Sequence, residues 1–149
     1  MITVEVDVEQ ALTELGAMVA RTQFLGPVLE VIGQSEVENA KARIQQSKMN
    51  PWGGDWAPWA NSTAAHRMHK GNASQGLLWD DGDLLNSIRF AVDAMEGISW
   101  VDIGSDLEYA AYLQNGTEDM PAREFLGWND AVLPFYEGLL LNYIETGTP

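Results

Sequence analysis

Residues 49–80 carry neither a helical nor a strand period, and this gap divides the rest of the chain. Gly, Pro, Asn and Ser recur through it, as in a long connection. Connections beyond about 12–15 residues are uncommon in compact domains and are often functional. Its first part, MNPWGGDWAPWANST at residues 49–63, sets three of the six tryptophans among two glycines and two prolines. Tryptophan is costly to expose, while Gly and Pro break the elements that usually bury it. A chain organised around such a segment has to fold it back over a core or cover it with a partner.

The flanks of the gap are periodic. ITVEVDV alternates Ile2, Val4 and Val6 with polar residues, which predicts a short strand. Asp7 can cap a helix, with Gln10 at the reciprocal position. Val8, Leu12, Leu15 and Val19 then form one apolar stripe. FLGP ends this helix, and Pro27 suits the first turn of the next. Val28, Leu29, Ile32, Val37, Ala40 and Ile44 make a second stripe ending near Lys48. A short helix is expected at residues 60–70. DDGDLLNS reads as a turn and a short helical start, with Asp83 as cap. SIRFAVDAMEGISWVDIG reads as a hairpin turning at Glu96 and Gly97. SDLEYAAYLQNGT predicts a helix with Ser105 and Glu108 as a capping box and Gly116 as its stop. A strand is expected near residues 122–126. A final helix, capped by Asn129 or Asp130, runs to about Ile144. Its GLLLNYI is apolar on more than one face, so core or a partner should cover it. The sum is an α+β fold: a small antiparallel sheet packed by helices on one face, a long N-terminal helix pair and a long aromatic loop. Residues 1–149 are expected to form one domain.

Composition narrows the function. Hydrophobic residues are 46% and charged residues 20%, ordinary globular usage. No apolar run approaches the roughly 20 residues of a spanning helix, so no membrane partner is expected. MITVEVDVEQ lacks the basic and apolar regions of a signal peptide. Cysteine is absent, which excludes a disulfide framework and thiolate metal sites. The net charge of −14 argues against a nucleic-acid grip. The charge is uneven. Residues 41–70 hold five bases and one acid, while residues 1–40 hold one base against seven acids and residues 71–149 two against fourteen. Neighbouring copies could use that contrast as complementary charge.

Catalytic signals are sparse. His66 and His69 stand at i and i+3, but Arg67 and Lys70 beside them oppose a cation. Asp80, Asp81 and Asp83 lack the ligand alternation of a calcium loop. No phosphate-binding loop, dinucleotide fingerprint or nucleophile elbow is present. No cofactor and no enzymatic activity are expected. A metal-dependent hydrolase using His66, His69 and Asp80 or Asp81 is one alternative. A binding module that uses the loop at residues 52–59 is another.

Four spaced motifs within residues 44–127 carry a resemblance. NPWGGDWAPW follows the long helix; GLLWDDGDLLNSI, VDIGSDLEYAAYLQNGT and MPAREFLGW come after it in that order. Together they resemble the phage virion morphogenesis, or tail-completion, family. Asp81, Leu113 and Glu124 stand where that family commonly has Thr, His and Pro. The matching landmarks are Gly82, Leu84, Gly104, Tyr109, Gly116 and Pro121.

The resemblance implies a structural virion protein at the head–tail junction, of tail-completion, tail-terminator or neck type. It implies assembly in the host cytoplasm and a ring of copies, expected to be a hexamer. Its partners would be connector or neck proteins and tail tube or sheath proteins, with DNA passing through the lumen without specific binding. In that setting Trp52, Trp56, Trp59, Arg67, Tyr112, Arg123 and Phe125 are the candidate subunit or partner contacts, Trp56 also serving this subunit's own core. Arg123 offers a planar fork suited to a neighbour's carboxylate. Asp102, Asp106, Glu118 and Asp119 are candidate lumen acids that would repel phosphate.

Overall fold

The computed structural model describes residues 8–95 and 97–149. The expected strand at residues 2–7, its cap Asp7 and the turn residue Glu96 lie outside the described residues. Helix α1 spans Val8–Thr22 and helix α2 spans Gly26–Ala42, with Pro27 in its first turn. A wide turn, Arg43–Ser47, extends α2, and Lys48 closes it in a left-handed conformation at φ 57°. Helix α3, Asn61–Lys70, interrupts the aperiodic region. Helix α4, Asp83–Ser87, leads into the hairpin of β1, Arg89–Met95, and β2, Ile98–Gly104. Helix α5 is Glu108–Asn115. A turn of 3₁₀ helix, Asp130–Val132, runs into α6, Leu133–Thr146. This is the expected small α+β fold.

The two strands pair antiparallel with Phe90 opposite Ile103 and Val92 opposite Val101. Helix α2 packs across both strands and against α6. Its stripe therefore feeds two cores. Val37, Ala40 and Ile44 meet Trp56, Leu84, Leu85, Ile88, Ala110 and Phe125. Val28, Leu29 and Ile32 meet Tyr136 and Tyr143 of α6. The helix approaches the hairpin most closely at Gly33, where a Cβ would stand 2.5 Å from Phe90 Cδ2 and 2.9 Å from Val101 Cγ2. Gly33→Ala is therefore expected to lower stability by about 1–2 kcal/mol in urea unfolding, because overpacking outweighs the gain of about 1 kcal/mol in helix propensity.

Several local expectations change. The α1 stripe is not core: Val8, Leu12, Leu15 and Val19 are all 57% exposed or more. Helix α5 begins at Glu108, not after Ser105. The Ser105 hydroxyl instead accepts from Leu107 N at 3.2 Å and shares a hydrogen bond with the Ser87 hydroxyl at 2.6 Å, so no capping box forms. Gly116, at φ 75°, does end α5. Asp83 does not cap α4; Gly82, at φ 96°, holds that position and Asp83 is the first helical residue. Residues 122–126 are not a strand. Their backbone is held by Leu113 O and by the side chain of Gln114, which removes the need for a strand partner. Asn129 does cap the 3₁₀ turn before α6, accepting from Ala131 N at 2.9 Å.

Candidate functional site

The aromatic loop is an arm braced by hydrogen bonds. Lys48, at its root, donates to Ile44 O and to Gln75 O, the latter at 2.8 Å. Burial holds its ammonium below the ordinary lysine value. Asn50 Oδ1 accepts from Trp52 N at 3.0 Å and Gly54 N at 2.8 Å, while Asn50 N donates to Gly54 O at 2.8 Å. Asparagine is suited to this because its short side chain satisfies backbone groups two to four residues on. Gly53, at φ 85°, completes the tight turn.

The three tryptophans then part company. Trp56 turns inward: its indole N–H donates to Glu124 O at 3.0 Å and the residue is 6% exposed. Trp59 lies over the Arg67 guanidinium, 5.1 Å from ring centre to Cζ. Trp52 points outward and is 59% exposed. Arg123 clamps the arm from the other side, donating to Ala57 O at 2.9 Å and Pro58 O at 2.8 Å. Arg67 donates to Gly76 O at 3.0 Å and to Trp79 O, and pairs with Asp80. Trp56, Arg67, Arg123 and Phe125 are thus buried within the chain, where they shape the arm. Trp52 and Tyr112 are the exposed members of the predicted contact set.

The arm's tip rests on the segment after α5. Gln114 grips that segment with both ends of its amide: Oε1 accepts from Phe125 N and Leu126 N, and Nε2 donates to Leu126 O. Arg43 adds a bond to Phe125 O at 3.1 Å. Gly127 then adopts φ 151°, and a Cβ there would stand 2.9 Å from Pro51 Cγ and 3.4 Å from Trp52 Cζ2. Trp52 is thereby seated against the residue preceding Trp128, which is itself 41% exposed. The Trp128 ring stands edge-on to Tyr136 at 5.8 Å, and Phe135, 59% exposed, lies 5.7 Å from the same tyrosine. Trp128 and Phe135 thus flank a buried Tyr136, while Trp52 lies beside Gly127, the residue before Trp128, and all three are exposed. Sequence reasoning missed Trp128 and Phe135. Trp128 directly follows the FLG landmark, a signal that was available.

Tyr136 anchors this surface from below. Its hydroxyl donates to Glu36 Oε1 at 2.6 Å, with Ser35 Oγ at 3.2 Å. Glu36 is itself 4% exposed and receives Asn39 Nδ2 at 3.1 Å, with Arg43 3.7 Å away. Burial, then the neighbouring Glu36 carboxylate, pushes the Tyr136 phenol up to about 12 from its ordinary 10. The folded state therefore favours the protonated phenol. That contribution is complete below pH 10 and is lost as pH rises from 10 to about 12. At about 1.4 kcal/mol per unit, the loss is about 2–3 kcal/mol. Urea unfolding between pH 9 and pH 12 is expected to show that extra loss in the natural chain relative to Tyr136→Phe.

Beside the arm, a cleft of about 720 Å³ is lined by Trp59, Arg67, Gly82, Leu84, Tyr109, Pro121 and Arg123 among others. Four landmarks, Gly82, Leu84, Tyr109 and Pro121, thus converge on one place. Two others lie outside it. Gly104 faces open space, whereas a Cβ at Gly116 would stand 2.7 Å from Ala122 N. The acids Asp102, Asp106, Glu118 and Asp119 are all exposed. Arg89 pairs with Asp106 at 2.8 Å, and Asp102 accepts from the Trp100 indole at 3.2 Å.

Asp80 and Asp81 are engaged by cations, Asp80 by Arg67 and Lys70 and Asp81 by Lys70 at 2.6 Å. Among the described residues, no three His, Asp or Glu side chains converge as a metal site would require. No single helix among them is long and apolar enough to cross a membrane.

A braced arm, a landmark-lined cleft and exposed aromatic side chains are thus set on a small α+β fold. The chain belongs to the phage virion morphogenesis family, whose model matches residues 6–145, nearly its whole length. Its role is accordingly in the structure and assembly of the phage virion. No curated protein and no solved structure matches the chain.

Proposed function

We propose that this chain is a tail-completion, tail-terminator or neck subunit that acts at the head–tail junction of a tailed phage. It assembles with its own copies into a ring, expected to be a hexamer, in the host cytoplasm. There it meets connector or neck proteins on one side and tail tube or sheath proteins on the other. It works by shape and surface complementarity, without turnover or cofactor.

The observation that carries this reading is the exposed Trp52, Trp128 and Phe135 surface on a braced scaffold, in a member of a virion morphogenesis family. Large, stiff aromatics lose little entropy on docking and are the commonest anchors of protein interfaces. Asp102, Asp106, Glu118 and Asp119 are proposed to face the lumen, where carboxylates keep passing DNA mobile. A nonsense mutation in the gene tests the placement. Electron microscopy of the lysate is expected to show filled heads beside separate tails, reversed by supplying the natural chain. Joined particles with tails of normal length would contradict it.

A further inference from the structure

The described residues leave the apolar stripe of helix α1 in solvent. Val8, Leu12, Leu15 and Val19 are 61%, 64%, 57% and 58% exposed. Such a stripe makes a patch of roughly 300–600 Å², the size that on an ordinary monomer is the largest and is commonly functional. Its spacing is four, three, four, which is the d-a-d-a register of a two-heptad coiled-coil seam. The half-covered side of the helix, with Ala17, Met18 and Arg21, is a different one. Arg21 Nη1 donates to Ile144 O at 2.8 Å and Glu145 O at 2.7 Å, pinning α1 to the last turn of α6. The stripe is therefore presented on an anchored helix.

Two further features point to a second helix as its occupant. Gly16 sits inside α1, where glycine costs about 1 kcal/mol relative to alanine. Nothing among the described residues requires it, because a Cβ there would meet no atom of theirs within 4 Å. Gly16 and Ala11 flank the seam at positions where coiled coils usually carry charge, so a second backbone can come close.

We infer that α1 pairs antiparallel with α1 of a second copy of this chain. Antiparallel packing centred between Leu12 and Leu15 sets Val8 opposite Val19 and Leu12 opposite Leu15. It places Gly16 at the level of Ala11. Glu9 then stands at the level of Met18, and the Val-Leu-Leu-Val order of the stripe reads the same from either end, as an antiparallel pair of one sequence requires. Antiparallel helix dipoles favour the same choice. Such a contact is self-complementary and closes at two copies, so it is distinct from the head-to-tail contacts of a ring. It does not depend on placement at the head–tail junction. Two heptads bury less than the roughly 1,200–2,000 Å² of a stable complex, so the pair is weak and concentration-dependent.

The absence of cysteine makes the test clean. Full-length Val8→Cys and Val19→Cys chains are mixed and mildly oxidised. The mixture is expected to give a disulfide-linked dimer that requires both variants. Each variant alone is expected to stay unlinked, since eleven residues separate the positions by about 16 Å along the helix. Sedimentation of a Trp52→Ala, Trp128→Ala chain, in which the proposed ring contacts are weakened, should show a monomer–dimer equilibrium up to about 1 mM, abolished by adding Leu12→Glu with Leu15→Glu at unchanged circular dichroism. Gly16→Leu should weaken it at least tenfold. A monomer throughout that range overturns the inference, as does a dimer surviving the double glutamate change. Cross-linking of each cysteine variant only with itself overturns the antiparallel arrangement. Loss of binding to another virion protein, with no dimer in the natural chain, assigns the stripe to that partner instead.

Discussion

Arg67→Met is expected to cost about 2–4 kcal/mol, a large part of the 5–15 kcal/mol that holds a domain of this kind together. The guanidinium is 4% exposed and sits at the meeting point of the arm, α3 and the segment before α4. It donates to two carbonyls, pairs with Asp80 and supports the face of Trp59. Methionine fills much of the volume but leaves Gly76 O and Trp79 O without donors in a site that water does not reach freely. Arg67→Lys should recover only part of the loss, because an ammonium cannot supply a planar fork to three partners. Urea unfolding monitored by tryptophan fluorescence reads both effects. An Arg67→Met midpoint equal to that of the natural chain would mean that Arg67 does not hold the arm.

Trp52→Ala combined with Trp128→Ala is expected to do the reverse. Trp52 is 59% and Trp128 41% exposed, so stability should fall by about 1–3 kcal/mol, the lost Trp128–Tyr136 edge contact included, and the chain stays folded. Interface anchors of this kind cost about 2 kcal/mol or more each when truncated. Two of them weaken each contact by about a thousandfold at 1.4 kcal/mol per factor of ten. Infectious titre in a complementation assay should therefore collapse while the purified protein stays folded. A folded double variant with normal titre would remove the aromatic surface from the account.

Much of the fold was legible because it depends on local chemistry. The α2 stripe, the hairpin, Gly116 as the end of α5 and the cap at Asn129 each follow from residues close in sequence. The misses are contacts made over long distances. Ser105 looked like a helix cap, but Ser87, eighteen residues away, claims its hydroxyl. Residues 122–126 looked like a strand because Pro121 starts an extended segment anchored by Phe125 and Leu126, yet Gln114 supplies the bonds a neighbouring strand would have made.

The site divides in the same way. The tryptophan arm announces itself through composition. Which tryptophan faces outward depends on Glu124 O, Arg67 and Gly127, which no periodicity reveals. Arg67 and Arg123 read as contacts for a neighbouring subunit because charge normally stays at the surface. Each is instead buried over backbone carbonyls that the irregular loop leaves without partners. The α1 stripe is the converse case, an apolar period that the described residues of its own chain leave uncovered.

The central claim is that this chain forms the ring at the head–tail junction and uses the arm's aromatic surface as its contact. A reconstruction of the neck in the intact virion tests it most directly. The predicted result is symmetric density for this chain between connector and tail tube, with Trp52 and Trp128 covered by an adjacent subunit and Asp102, Asp106, Glu118 and Asp119 toward the channel. Density for the chain elsewhere in the particle, or a junction ring in which Trp52 and Trp128 remain in solvent, would contradict it.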